Sequence, residues 1–457
     1  MVGAILSWAA RHAPCCAGRM RRPPIPVVLL PFSLLCAGCS SGGAEPEARP
    51  SPSGCADPGT AGCVVTSDRQ RARAPRVPEA DARELALGNT AFALELYRRI
   101  GAAPGNLFCS PYSVSSALAM TAAGARGETA EQMARALRFT LPEARLHPAF
   151  NALDLALARR GEGAEGQGGK GFRLHVANAI WGQIGSAFEP SFLDVLAESY
   201  GAGLHVVDFV QAPDEARKII NGWVAERTEG RIKDILPEGA LGPSTRLVLT
   251  NAIYFNAAWQ LPFKEEETTP ESFTLADGST VSVPMMTNHA QVRYGEGGGY
   301  EALELPYDGG ELSMVLVLPS ELGGFEAGLD RERLEGVLAS LGSRSVTMAL
   351  PRFKIASTLD LARPLADLGM PAAFSERADF SGIDGQGGLF ITDVLHEAFV
   401  SVNEAGTEAA AATAVVIGET SAPEPATIRF DRPFLFVIRD RATSAILFVG
   451  RVADPSR

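Results

Sequence analysis

Of the residue types that carry catalysis, none is arranged for it in this chain. The six histidines (His12, His147, His175, His205, His289 and His396) never fall in a His-Glu-x-x-His spacing, which excludes a helical zinc-hydrolase site. No Gly-x-Ser-x-Gly turn holds a nucleophile, and no glycine loop followed by Lys-Ser/Thr cradles a phosphate. Cys55 and Cys63 have Gly and Pro between them and could close a small loop in an oxidising compartment. No histidine or further cysteine lies near enough to complete a metal set with them. Beyond them only Cys109 remains, in an apolar segment where a small buried thiol is the expected role.

The chemistry is concentrated instead in one unusual segment, residues 404–428. It joins a strand-like run ending at Val402 to another beginning near Phe430. A connection of about two dozen residues inside a compact domain is long enough to suggest function. Its far end, near Pro423 and Pro425, is polar and stiff, hence exposed. Its first half, Thr407 to Ile417, is small or β-branched and carries one charge, Glu408. Such residues fit a sheet interior at little steric cost. An Ala-rich helix is the competing reading. Gly406 and Thr407 start a helix poorly, Val415-Val416-Ile417 end it as strand formers, and no amphipathic stripe runs through it.

The elements that must position this segment read as helices first and strands later. Leu85 to Tyr97 is a helix with charged neighbours. Pro111 to Met120 is a second, with Ser110 as cap and Pro at its start. Thr129 to Leu137 and residues 212–227 are further helices, with Trp223 and Val224 on the apolar side of the latter. Ala177–Trp181, Leu204–Phe209, Leu247–Phe255, Ser272–Leu275, Leu312–Leu318, Thr347–Leu350, Phe390–Ile391, Phe434–Ile438 and Ile446–Val449 read as strands, the last two as a hairpin. Helical exceptions are expected over 325–341 and 358–369. This order predicts an α+β fold rather than a doubly wound sheet, in one domain spanning 81–457.

Ahead of that domain the pattern is that of a targeting segment. Residues 1–38 hold Arg11, Arg19, Arg21 and Arg22 and no acid, followed by a short apolar run. Met20 makes a better start than Met1, because the basic residues then come first. Cys36-Ala37-Gly38-Cys39 resembles a bacterial lipobox, which implies a lipid on Cys39 although Cys36 stands where Leu is usual. Residues 39–80 are rich in Gly, Ala, Pro, Ser and Arg and read as a disordered tether. A net charge of -12 without a long basic run argues against nucleic acid as a partner. The absence of a Lys/Arg cluster likewise argues against a polyanion, and no metal or other cofactor is expected.

Taken together, the motifs resemble those of the serpins, and of bacterial, inhibitory members in particular. Asn106 to Ser113, Gly124 to Thr129, Asn221 to Val224, Leu249 to Phe255, Val283 to Met286, Pro351 to Lys354, His396 to Val400 and Phe430 to Phe434 are similar to family strings and come in family order. The similarity spans most of residues 84–454. It implies three β-sheets, about nine helices and an exposed reactive-centre loop. Glu404, Gly406, Thr407, Glu408, Ala409, Ala410, Ala411 and Ala412 match the hinge of that loop. Ser110, Ser113, Asn251 and His396 match the shutter, a polar cluster beneath the sheet where it must part, and Trp259 matches the breach, where insertion begins.

The resemblance also implies a mechanism: a serine protease attacks the loop, forms an acyl-enzyme, and is trapped when the cleaved loop inserts as a new strand. Counting from Glu404, the scissile bond follows Thr420 and precedes Ser421. A Thr there suggests an elastase-like or subtilisin-like target, with the protein acting as an inhibitor rather than an enzyme. A monomer is expected, exported, and touching a membrane only through its N-terminal lipid. The alternative is a non-inhibitory serpin acting as a surface binding lipoprotein, against which the small residues Ala409 to Ala412 argue.

Overall fold

A computed structural model describes residues 62–161, 172–407 and 425–457. In chain order it contains β1 (Cys63–Val65), α1 (Glu79–Ile100), β2 (Leu107–Cys109), α2 (Pro111–Ala122), α3 (Gly127–Ala136), α4 (Glu143–Ala158), β3 (Phe172–Gln183), α5 (Pro190–Val195), β4 (Leu204–Val207) and α6 (Pro213–Arg227). These are followed by β5 (Leu247–Ala258), β6 (Thr269–Thr274), β7 (Thr280–Gly297), β8 (Tyr300–Pro306), β9 (Leu312–Pro319), α7 (Leu322–Ala327), α8 (Arg331–Ser340), β10 (Gly342–Pro351) and β11 (Phe353–Asp360). Last come α9 (Ala362–Asp367), α10 (Ser381–Asp384), β12 (Ile391–Asn403), β13 (Gly406–Thr407), β14 (Ala426–Arg429), β15 (Phe434–Asp440) and β16 (Ile446–Val452). The α+β class is thus the observed one.

One sheet has the order β1-β4-β3-β5-β13-β12-β11. Its central strand β5 is buried at every position, because both faces are covered. Period-two alternation divides the side chains. Ala177, Ala179, Trp181, Val248, Ala252 and Leu395 face α6. Ile180, Leu249, Ile253, Val394 and Ala398 face the opposite way, into the main core. There they meet α2, a helix that starts where expected: the Ser110 hydroxyl accepts from the Ser113 amide at 3.3 Å, and Pro111 follows it.

The other strands form a second network, β14-β10-β7-β8-β9-β15-β16-β2, with β6 on β7. The three sheets implied by the resemblance thus form two hydrogen-bonded networks among the described residues. The reason is β7, which pairs β6 at its start, β10 along its middle and β8 at its end.

Three expectations are corrected. The tether does not extend to residue 80: Cys63–Val65 pairs with β4 and covers an otherwise open sheet edge with β-forming residues. Arg71 then pairs with Asp154 at 2.6 Å and donates to Asn151 at 2.9 Å, so the packed domain includes residue 62 onward. The helix expected over 325–341 is two, α7 and α8, broken at Gly328-Leu329-Asp330, where Asp330 caps the second by accepting from Arg333. Residues 358–360 belong to β11, paired with β12, and only Ala362–Asp367 is helical. Helix α4 had no expectation; its Leu146, Phe150, Leu153 and Leu157 spacing is helical, but Pro148 interrupts the pattern.

Candidate functional site: hinge and shutter of the large sheet

Two polar clusters lie along the seam between β5 and β12, which pair in parallel from Leu247/Ile391 to Tyr254/Phe399. The lower one is a row. Asn178 on β3 stands opposite Asn251 on β5, and Asn251 stands opposite His396 on β12. All three point toward α2. The His396 Nε2 accepts from the backbone N–H of Ser110 at 3.0 Å. A backbone amide can only donate, so the proton of the neutral ring sits on Nδ1 and is given to Asn251 Oδ1. The Asn251 amide donates to Ser113 Oγ at 2.7 Å and to Asn178 Oδ1. Ser113 Oγ donates to the same Asn178 oxygen at 2.8 Å, and Asn178 Nδ2 returns a bond to Ser113 O at 3.0 Å. Ser110 Oγ ties the cluster to β16 through Leu447 O at 2.7 Å.

His396 is fully buried, and burial lowers its pKa to about 3, with the contact to Asn251 opposing only in part. The unfolded ring takes a proton near pH ~6.5, whereas the folded one stays neutral, so stability is intact above that value and falls below it. His396 alone contributes a loss of about 1.4 kcal/mol per pH unit. Burial pushes His147 and His205 to about 4, with Arg227 adding to the effect at His205, and both act in the same direction. Asp393, raised to about 6 by burial and Asp360, opposes them, because the folded state holds its proton first. Denaturation curves for wild type and His396→Gln across about pH 7 to 5 isolate this term. The wild-type slope is expected to be steeper by about 1 kcal/mol per pH unit; parallel slopes would remove His396 as an acid sensor.

The upper cluster holds the start of the expected loop. Gly406 and Thr407 form β13, antiparallel to both neighbours: Gly406 pairs with Asn403 and Ala258, Thr407 with Val402 and Ala257. Gly406 has φ +151°, and a Cβ there would lie 2.3 Å from Ala257 O, so only glycine fits. The Thr407 hydroxyl lies 3.0 Å from that of Tyr307, whose ring stacks on Trp259 at 4.6 Å and 9°. Trp259 binds the incoming turn twice, Nε1 donating to Asn403 O at 3.1 Å and its amide to Ala405 O at 2.8 Å.

Glu404 anchors that turn. It is 3% exposed; Arg352 Nε donates to its two oxygens at 2.6 and 2.7 Å, and Thr268 Oγ1 donates at 2.5 Å. Burial pushes its pKa up, but the bonds from Arg352 and Thr268 outweigh this and hold it below the usual range.

The structure therefore gathers Ser110, Ser113, Asn251 and His396 in one cluster and Glu404, Gly406, Thr407 and Trp259 in another. Glu408, Ala409, Ala410, Ala411, Ala412, Thr420, Ser421 and Cys39 lie outside the described residues. So does Cys55; Cys63 is itself disulfide-bonded. Sequence reasoning missed Asn178, Thr268, Tyr307 and Arg352. Asn178 had a signal, a lone amide within the apolar strand Ala177–Trp181. Cys109 is buried, and desolvation pushes its thiol well up, which suits packing rather than attack. Among the described residues no group of three or more His, Cys, Asp or Glu is placed to hold a metal ion.

A large sheet whose own following loop starts between two of its central strands, above a buried polar row, defines a class of protein. Residues 87–455 match the family model described as Serpin (serine protease inhibitor), and the chain belongs to that family. It is 40% identical over 385 residues to a leukocyte elastase inhibitor of Bos taurus, covering 81% of this chain and 100% of that one. It is 41% identical over 371 residues to an uncharacterized serpin-like protein of Thermococcus kodakarensis, covering 80% and 84%. Antithrombin-III of Mus musculus is 38% identical over 398 residues, covering 83% and 84%. Among solved structures, the native state of the thermophilic serpin tengpin matches with a TM-score of 0.73 at 28% identity, over 85% of this chain and 97% of that chain. Uncleaved ovalbumin matches at 0.72 and 28%, over 81% and 100%.

Proposed function

We propose that this serpin inhibits a serine protease of elastase-like or subtilisin-like specificity by covalent trapping. The observation that carries the reading is β13, two residues of the loop already seated between β5 and β12. If the same register continues, position 413 comes level with Asn251 on one side and His396 on the other. Alternation then turns Thr407, Ala409, Ala411, Thr413 and Val415 toward α2. The small residues pass the core, and Thr413 brings a hydroxyl to the polar row as the Asn251–His396 contact opens.

In this mechanism the protease serine attacks the Thr420 carbonyl, the bond to Ser421 breaks, and the amine of Ser421 leaves. The acyl-enzyme stays on Thr420. Residues 407–420 span roughly 45 Å as a strand, so insertion carries the enzyme along the length of the sheet. The driving force is the added backbone pairing and burial of the new strand.

A bacterial source, export, a monomeric state and an anchoring lipid on Cys39 belong to the same proposal. The source, the export and the lipid rest on the basic-then-apolar leader and on Cys36-Ala37-Gly38-Cys39. The test is incubation of the protein with elastase-, subtilisin-, trypsin- and glutamyl-type proteases, read by denaturing gel and mass spectrometry. A denaturant-resistant complex joined through Thr420 is expected with the first two. Loop cleavage with full protease activity across the panel would defeat the inhibitor reading. Intact mass of the membrane-extracted chain carries the added acyl mass at Cys39 if the anchor is present, and lacks it otherwise.

A further inference from the structure

The stretch between β1 and α1, residues 66–78, contains no helix or strand, and it carries Arg69, Arg71, Arg73 and Arg76. The first two are held against the domain. Arg69 lies 3.7 Å from Asp194 and 3.6 Å from Glu198. Arg71 pairs with Asp154 at 2.6 Å and donates to Asn151 at 2.9 Å. Arg73 and Arg76 are exposed, and neither makes an ion pair or a side-chain hydrogen bond among the described residues.

Two prolines set the backbone around these free arginines. Pro75 and Pro78 each disfavour helix in the residue before them, Ala74 and Val77. Pro78 itself is extended, at φ -56° and ψ 143°, and α1 begins only after it. The Ala72 amide still donates to Glu198 O at 2.9 Å, and the next backbone bond along the chain is Asp81 N–H to Pro78 O at 3.0 Å. Between them the amides of Arg73, Ala74, Arg76 and Val77 make no hydrogen bond among the described residues. An exposed, extended connection of small residues with free backbone groups is the form in which a chain is cut. Neither arginine is followed directly by proline.

We propose that residues 73–77 are a processing site for an arginine-specific endopeptidase, which hydrolyses the bond after Arg73 or Arg76. The guanidinium enters the acidic specificity pocket of that enzyme. Water adds across the peptide bond, leaving a carboxylate on the arginine and a free amine on Ala74 or Val77. No covalent tie then joins the leading segment to the domain. Cys109 is free, and every other cysteine of the chain, disulfide-bonded Cys63 included, precedes the cut. What remains is noncovalent: β1 on β4, Gly62 N–H on Val206 O at 2.7 Å, Arg71 on Asp154, and Asn151 Nδ2 on Ala72 O at 2.7 Å. Cutting and release are therefore separate steps. Release of the domain from a lipid on Cys39 rests on the anchor proposed above; the cut and the retention do not.

The experiment treats the folded full chain with trypsin and times each new N-terminus by mass spectrometry, with a lysine-specific endopeptidase in a parallel arm. Cuts after Arg98 and Arg99 are the internal reference, since both side chains are exposed but lie in α1, which must unfold before a protease can bind it. N-termini at Ala74 or Val77 are expected about 100-fold sooner than the reference cuts, the scale separating local from global opening. They should be absent from the lysine arm and lost in Arg73→Gln/Arg76→Gln. A first cut at Ala74 assigns the site to Arg73 and one at Val77 to Arg76, and either supports it. Rates equal to the reference, or a rate unchanged in the double variant, overturn the site. The fragment carrying β1 is expected to co-elute with the nicked domain on size exclusion, and Arg71→Gln should speed its loss several-fold. A fragment lost at once, or a loss untouched by Arg71→Gln, overturns the retention. None of these outcomes depends on whether a protease is inhibited.

Discussion

Under the trapping mechanism proposed above, replacing Thr407 by Arg is expected to turn the protein from an inhibitor into a substrate of the protease. Thr407 is fully buried, paired on both sides in β13, with its hydroxyl against that of Tyr307. A guanidinium at this buried position has to leave water, and burying it without a carboxylate partner costs several kcal/mol. An arginine expels β13 from the seam, so in the proposed mechanism insertion must bury this position anew, whereas cleavage of the loop at Thr420 does not require it. The substitution therefore slows insertion while leaving hydrolysis of the acyl-enzyme free to proceed. Each ~1.4 kcal/mol added to the insertion barrier shifts that competition about tenfold toward release of active protease. The measurement is the number of inhibitor molecules consumed per protease inactivated, together with the fraction of cleaved, uncomplexed chain on a denaturing gel. An unchanged stoichiometry would mean that inhibition does not proceed through insertion of this strand.

Glu404→Lys is expected to lower stability by about 2 kcal/mol, below the scale for a fully buried ion pair because the Arg352 side chain is partly in water. In the native arrangement one carboxylate satisfies Arg352 and Thr268 together. The substitution sets an ammonium beside a guanidinium and leaves the Thr268 hydroxyl without its acceptor. The turn then keeps its other bonds, among them Phe263 N–H to Glu404 O and Trp259 N–H to Ala405 O, each 2.8 Å. Glu404→Gln, which keeps an acceptor and removes the repulsion, should cost about 1–2 kcal/mol. The first thermal transition of the three proteins, at fixed salt, gives the comparison. Equal midpoints for Lys and wild type would show that the ion pair is not what anchors the hinge.

How far the sequence carried can be judged at particular residues. Ser110 before Pro111 announced a helix start, because an N-cap hydroxyl and a proline at the first turn act locally. The uncharged run after Glu408 reads as a segment able to enter a sheet, and it lies outside the described residues. The breaks at 328–330 and at Asp360 were missed because strand pairing and a cap at Asp330 overrode local helical preference. Residues 63–65 were missed because a three-residue strand has no periodicity to read; the open edge of β4 selects it.

What the sequence by itself determined is the α+β class and the strings, in family order, that resemble the family's hinge and its polar cluster of Ser110, Ser113, Asn251 and His396. These follow from local preferences and from motif order along the chain. The tertiary structure alone decided which parts meet. Asn178 joins Asn251 and His396 only because three strands distant in sequence align in one register. Glu404 meets Arg352 only because the end of β12 lies beside the start of β11 in the folded sheet. Register and long-range pairing are set by packing of the whole core, so no window of sequence contains them.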